Sequence, residues 1–144
     1  MRIYLDVCSF NRPFDDQSQL RVRLEAEAKL RIQEEIRARE IELVWSYILD
    51  YENGKNPYAE RKMRISGWSD YAQIDVQESD QLLARAGTLH QLGVPKIDAL
   101  HIACAVDAKF EYFITTDDRI LGCKDRVTEI TIADPILFVK EIEL

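Results

Sequence analysis

The sequence predicts an α/β fold, a three-layer sandwich about a central, mainly parallel five-stranded sheet, and two observations carry that expectation. β-Prone runs alternate with helical segments along the whole chain, the order that gives parallel strands covered by helices on both faces. The 144 residues are 47% hydrophobic and 31% charged, the balance of a folded globular chain rather than a disordered one. This length suits one hydrophobic core, so residues 1–144 are read as a single domain. No internal repeat, low-complexity tract or Pro/Gly/Ser-rich linker divides them.

Each element has its own signal. Arg2-Ile3-Tyr4-Leu5 is β-prone and stops at Asp6, and Asn11-Arg12-Pro13-Phe14-Asp15-Asp16 has loop composition, so Asp6 sits where a strand hands over to a loop. From Ser18 to Glu40, Leu20, Leu24, Ala28 and Ile32 recur every fourth residue among charges, which predicts an amphipathic helix with those four residues inward. Ile41 to Trp45 reads as a buried strand. Ser46 caps a short helix running through Glu52, and Asn53-Gly54 and Asn56-Pro57 end it. A helix over Tyr58 to Gly67 and a strand over Tyr71 to Val76 follow.

The second half repeats the alternation. Ser79 to Leu92 is helical with Leu82, Leu83, Ala86 and Leu89 inward, and Gly93 closes it. Pro95 begins a helix whose Ile97, Leu100, Ala103 and Cys104 suit tight packing, with Asp98 in its first turn. Glu111 to Thr116 is a strand ending in Asp117-Asp118. A short helix, the β-prone Val127 to Ile132 and a last helix from Asp134-Pro135 complete the chain.

Composition excludes several classes. No apolar stretch approaches the roughly 20 residues that cross a bilayer, and MRIYLD lacks the charged and apolar regions of a signal peptide. Cys8, Cys104 and Cys123 are odd in number and lack metal-binding spacing, which excludes a disulfide scaffold and fits a reducing cytoplasm. Nineteen basic against 26 acidic residues give a net charge of -7, so any binding of nucleic acid must depend on a local feature. P-loop, dinucleotide-binding and serine-hydrolase motifs are absent, and no second aspartate lies two residues after Asp6, as phosphoaspartate chemistry of the haloacid-dehalogenase type would need.

Four acids stand out. Asp6 and Asp117 end predicted strands, while Glu52 and Asp98 lie on helices able to face the same rim, where ligands of parallel sheets collect. Each alone has a structural explanation as a cap, a solvated side chain or a partner of a helix dipole. Together they differ, because carboxylates gathered among apolar neighbours repel one another unless a cation neutralises them. Hard oxygen ligands select Mg2+ or Mn2+.

The chain resembles the PIN domains, whose metal-dependent ribonucleases include the VapC-type toxins of toxin-antitoxin pairs. The resemblance runs nearly end to end, through Ile3-Tyr4-Leu5-Asp6, Ser46-Tyr47-Ile48-Leu49-Asp50-Tyr51-Glu52, Asp98-Ala99-Leu100-His101-Ile102-Ala103 and Phe113-Ile114-Thr115-Thr116-Asp117. It implies a catalytic quartet of Asp6, Glu52, Asp98 and Asp117, with Asp6, Asp98 and Asp117 on the metal, Asp118 a neighbour and Thr115 a supporting hydroxyl. It also implies an RNA substrate, an antitoxin partner and a homodimer, and the cysteine usage adds the expectation of a cytoplasmic location. After the first aspartate the family carries a hydroxyl or amide side chain where this sequence has Val7 and Cys8, and Ser9 and Asn11 are the nearby candidates for that role. The departure sustains an alternative, a PIN-like module that binds RNA or a protein partner with weak or no cleavage.

Other residues have structural readings. His101 shares a helix face with Asp98 and could support it, though packing is the favoured role; His90 is helix surface. Arg61, Lys62 and Arg64 read as a solvated helix face, whereas Arg12, Lys55, Lys96 and Arg119 lie beside acidic motifs and are even candidates for phosphate contact. Trp45, Tyr47, Tyr51, Trp68 and Tyr71 are read as core or interface rather than stacking surfaces for bases.

Overall fold

The computed structural model describes residues 1–144. Five strands, β1 (Arg2–Leu5), β2 (Glu42–Ser46), β3 (Ala72–Val76), β4 (Tyr112–Ile114) and β5 (Thr131–Ala133), form one sheet in the order β3-β2-β1-β4-β5. Every pairing is parallel, with Tyr4 opposite Val44 on one side and Phe113 on the other. The chain leaves β1 toward β2 and β3 and then returns across to β4, so β1 lies at the reversal of strand order. In open parallel sheets ligands collect at the carboxyl ends of the strands beside such a reversal.

The helices are α1 (Val7–Asn11), α2 (Leu20–Arg37), α3 (Tyr47–Gly54), α4 (Ala59–Ser66), α5 (Asp80–Gln91), α6 (Lys96–Asp107), α7 (Asp118–Leu121) and α8 (Pro135–Glu141). Three of them start at the functional edge of the sheet with a side-chain cap. Asp6 after β1 accepts from Val7 N, Ser46 at the end of β2 from Leu49 N, and Asp117 after β4 from Arg119 N. Capping thus explains why polar residues stand at these strand ends. In α6, Ala99, Ala103, Cys104 and Ala105 are buried, and their small size lets the helix pack closely against β2 and β4.

The helix expected over Ser18 to Glu40 forms over a shorter span and turns a different face inward. Val22, Glu25, Ala26, Lys29, Ile32, Gln33 and Ile36 are buried, while Leu20 is 61% exposed and Leu24 and Leu30 are exposed as well. The reason lies in what covers the helix. The 3-10 turn Arg12–Phe14 packs on α2, and Glu25 is sealed there by Arg12 and Arg21 at 3.4 and 2.8 Å. Lys29 lays its ammonium over Phe10 and Trp68 at 5.1 and 5.5 Å from the ring centres.

Smaller differences concern boundaries. Residues after Asp6 form α1 rather than entering a loop directly, a 3-10 turn over Gly67–Tyr71 precedes β3, and only Thr131–Ala133 of the β-prone run near residue 130 joins the sheet. Leu83, expected inward on α5, is 41% exposed. No helix is long and apolar enough to cross a membrane.

Candidate metal centre

Asp6 is placed by β1 and by its cap on α1. Its Oδ1 accepts from Val7 N at 2.8 Å, and its Oδ2 accepts from Thr115 Oγ1 at 2.9 Å and from the Cys8 thiol at 3.3 Å. Thr115 Oγ1 in turn accepts from Asp117 N at 3.1 Å, which ties the ends of β1 and β4 together. The polar role after Asp6 is filled by Cys8 itself. Ser9 turns away to donate to Ile114 O, and Asn11 donates to Val7 O, so neither reaches the acids. Burial, with Asp6 next to it, pushes the Cys8 thiol up to about 12, and the sulfur stays a protonated donor to Asp6.

Glu52 projects from α3 onto His101, whose Nε2 hydrogen-bonds its Oε1 and lies 3.9 Å from Asp6 Oδ1. His101 is fully buried, and its Nδ1 meets Tyr4 Oη at 2.5 Å, while Tyr4 Oη meets Ser46 Oγ at 2.6 Å. With the imidazole neutral and Glu52 ionised, one proton order satisfies every atom. Ser46 donates to Tyr4, Tyr4 donates to Nδ1, and Nε2–H donates to Glu52. The packing role favoured for His101 is therefore incomplete: the ring joins the hydrophobic core to the acidic site and fixes the Glu52 carboxylate. Its position three residues after Asp98, on one helix face, was the available signal.

Asp6, Glu52 and His101 each offer a ligand atom, all within 4.8 Å of one another. Asp98, 9% exposed on the first turn of α6, lies outside that close group but near enough to feel the charges of Asp6, Asp117, His101 and Glu52. Burial raises its carboxyl to about 6, and the neighbouring charges of Asp6 and Asp117 add to the effect. No lysine or arginine pairs with Asp6 or Asp98. Unneutralised, half-desolvated carboxylates beside an imidazole are a donor set that fits a hard divalent cation.

The remaining acids are engaged differently. Asp117 caps α7 and is ion-paired with Arg119 at 3.0 Å, which holds its carboxyl below the usual carboxylate range. Asp118 is turned outward and gripped by Arg21 at 2.8 and 3.0 Å, away from the cluster. Of the candidate phosphate ligands, Arg12 is tied to Asp15 and Glu25, and Lys55 lies 4.2 Å over the Tyr51 ring.

No family model and no curated protein matches the sequence. The fold does match solved structures. The chain is similar to a chain of VapBC2 from Rickettsia felis, crystallised with a DNA fragment from its promoter, at 15% identity and a TM-score of 0.60, over 93% of this chain and 98% of that one. It is likewise similar to a chain of VapBC-1 from nontypeable Haemophilus influenzae, at 18% identity and a TM-score of 0.60, over 94% and 98%. At such identities the likeness is one of fold, and it bears out the PIN-like α/β architecture expected from the sequence motifs.

Proposed function

We propose that the protein is a divalent-metal-dependent endoribonuclease, the toxin component of a toxin-antitoxin pair acting in the cytoplasm, with Mg2+ or Mn2+ held by Asp6, Asp98 and Asp117. The observation that carries this reading is the gathering of Asp6, Glu52 and His101 at the carboxyl ends of β1 and its neighbours, with Asp98 close enough to feel the charges of Asp6 and Glu52 and with no lysine or arginine ion-paired to Asp6 or Asp98. When bound, the cation supplies charge neutralisation and a lowered pKa for water attacking an RNA phosphodiester in line, leaving 5'-phosphate and 3'-hydroxyl ends.

The chain's own residues do the rest. Asp6 and Asp98 present anionic oxygens whose mutual repulsion the cation relieves, and Asp117 completes the set. Thr115 and Cys8 fix the Asp6 carboxylate by hydrogen bonds. Glu52 orients the attacking water and takes its proton, and His101, aligned by Tyr4, sets the direction of that carboxylate. The fold shared with chains of VapBC assemblies supports an antitoxin partner. The exposed Leu20, Leu24 and Leu30 of α2 offer an apolar surface for such a partner or for a homodimer.

Purified protein incubated with RNA and Mn2+ is expected to yield 5'-phosphorylated fragments, with cleavage lost in Asp98→Asn. Intact RNA, or equal cutting by Asp98→Asn, would overturn the proposal. The pairing of Asp117 with Arg119 favours a second reading, a PIN-like module that holds RNA or a protein without cutting. Metal-independent RNA binding with no product would select it.

A further inference from the structure

Three surface pockets adjoin one another through shared walls. The first, about 330 Å3, is bounded by Glu52 together with Lys55, Tyr58 and Arg61. Tyr58 and Arg61 also wall the second, of about 670 Å3, and that pocket shares Phe14 and Arg64 with a third of about 440 Å3. Cations alternate with aromatic rings along this groove. Lys55 stands over Tyr51, Arg61 over Tyr58 and Phe14, and Arg37 and Lys29 over Trp68.

The third pocket is unlike the rest of an acidic chain. Lys29, Arg37 and Arg64 line it and no acid does, although Arg64 is also ion-paired at 3.1 Å with Glu60, which lies outside the pocket. Arg61, nearby, is neutralised by Asp15 at 3.1 Å. Lys29 has no such partner. It is 2% exposed, its ammonium makes neither ion pair nor hydrogen bond, and it reaches the pocket over the faces of Phe10 and Trp68. Burial, with Arg37 beside it, lowers its pKa to about 7, the behaviour of a cation without a counter-charge. Gln33, also buried, adds an amide to the same wall, and the half-buried Phe14 and Tyr71 make part of it aromatic, while Trp68 lies buried beneath Lys29 and Arg37.

We propose that this pocket is a nucleotide subsite, in which Lys29, Arg37 and Arg64 take one phosphate of an unpaired strand while the attached base lies against the aromatic wall. Three cationic side chains lining one pocket suit a phosphate, and aromatic faces accept any base by stacking. Shared lining residues link this pocket, through the second, to the one that contains Glu52, so a strand held here would extend toward that acid. The assignment of that strand as the substrate rests on the ribonuclease reading, whereas nucleotide binding in the pocket does not.

The test is a titration of the full-length protein in EDTA with AMP, adenosine, inorganic phosphate and a short oligoadenylate, followed by tryptophan fluorescence. AMP is expected to change the signal saturably and to bind more tightly than either phosphate or adenosine. Lys29→Met and the surface variant Arg64→Gln are each expected to weaken AMP and oligoadenylate by roughly tenfold, or about 1.4 kcal/mol. Lys29→Met replaces a buried cation with an apolar chain of similar length, and Arg64 is largely exposed, so at least the second variant tests binding in a folded protein. Equal binding of AMP by wild type and Arg64→Gln would overturn the proposal. Phosphate binding as tightly as AMP would also overturn it, by showing an anion site with no role for the base. AMP binding in a protein that cuts no RNA would uphold the subsite while refuting the ribonuclease.

Discussion

Asp98 gives a prediction in which stability and activity move in opposite directions. Its carboxyl ionises at about 6 in the folded protein against an ordinary 3.8. The native state therefore holds the proton more tightly than the unfolded chain does. The stability this contributes is fully present below about pH 3.8 and is lost as pH rises through about 6. At about 1.4 kcal/mol per pH unit, and with solvent screening lowering the figure, the ionised carboxylate costs the metal-free protein at most about 3 kcal/mol at neutral pH. Asp98→Asn removes the charge and keeps the shape. In EDTA at about pH 7.5 the variant should be more stable than wild type by up to that amount, equivalent to a rise in melting temperature of roughly 10 °C for a chain of this length. At about pH 4 the two proteins should converge. Denaturant unfolding at several pH values reads the gap directly. Mn2+ at a hundredfold excess over its Kd should then return about 2.7 kcal/mol to wild type and little to the variant. A variant less stable than wild type at neutral pH, or a gap that does not change with pH, would refute the argument that Asp98 is held in an unneutralised acidic pocket.

Three further outcomes follow from the geometry. Glu52→Gln should keep the contact with His101 yet lower RNA cleavage by about 10²–10⁴-fold, measured as single-turnover rate, since the amide cannot accept a proton. Cys8→Ser should preserve Mn2+ affinity and Cys8→Ala should weaken it by roughly tenfold or more in calorimetry, because Cys8 donates to Asp6. Lys29 ionises at about 7 rather than 10.5, so the native state loses stability as pH falls through about 7. Lys29→Met should accordingly be more stable than wild type by a few kcal/mol at about pH 6, with the gap closing toward pH 10.

The sheet was legible because its signals are local. Runs such as Arg2–Leu5 and Glu42–Ser46 alternate with helices along the chain, and polar caps mark the strand ends. The orientation of α2 was not legible, because its four-residue spacing of Leu20, Leu24, Ala28 and Ile32 suggested a buried stripe. Arg12, Phe10 and Trp68, from outside the helix, together with Arg21 one turn before Glu25, instead satisfy Glu25 and Lys29 on another face. The acids were visible as residues at strand ends and helix starts. Most of their allegiances were not: Asp118 goes to Arg21 and Glu52 to His101 through tertiary contacts, whereas Asp117 pairs with Arg119 only two residues on. Cys8 was read as a departure because a thiol is an uncommon donor, yet its Sγ lies 3.3 Å from both Asp6 and Thr115.

The central claim is that separated carboxylates form one cation-binding pocket. A crystal soaked in Mn2+ and measured at a wavelength where manganese scatters anomalously locates any bound ion. The account predicts a peak coordinated by Asp6 and Asp98 oxygens and absent from Asp98→Asn crystals. A featureless map around those two residues at saturating Mn2+ would contradict it.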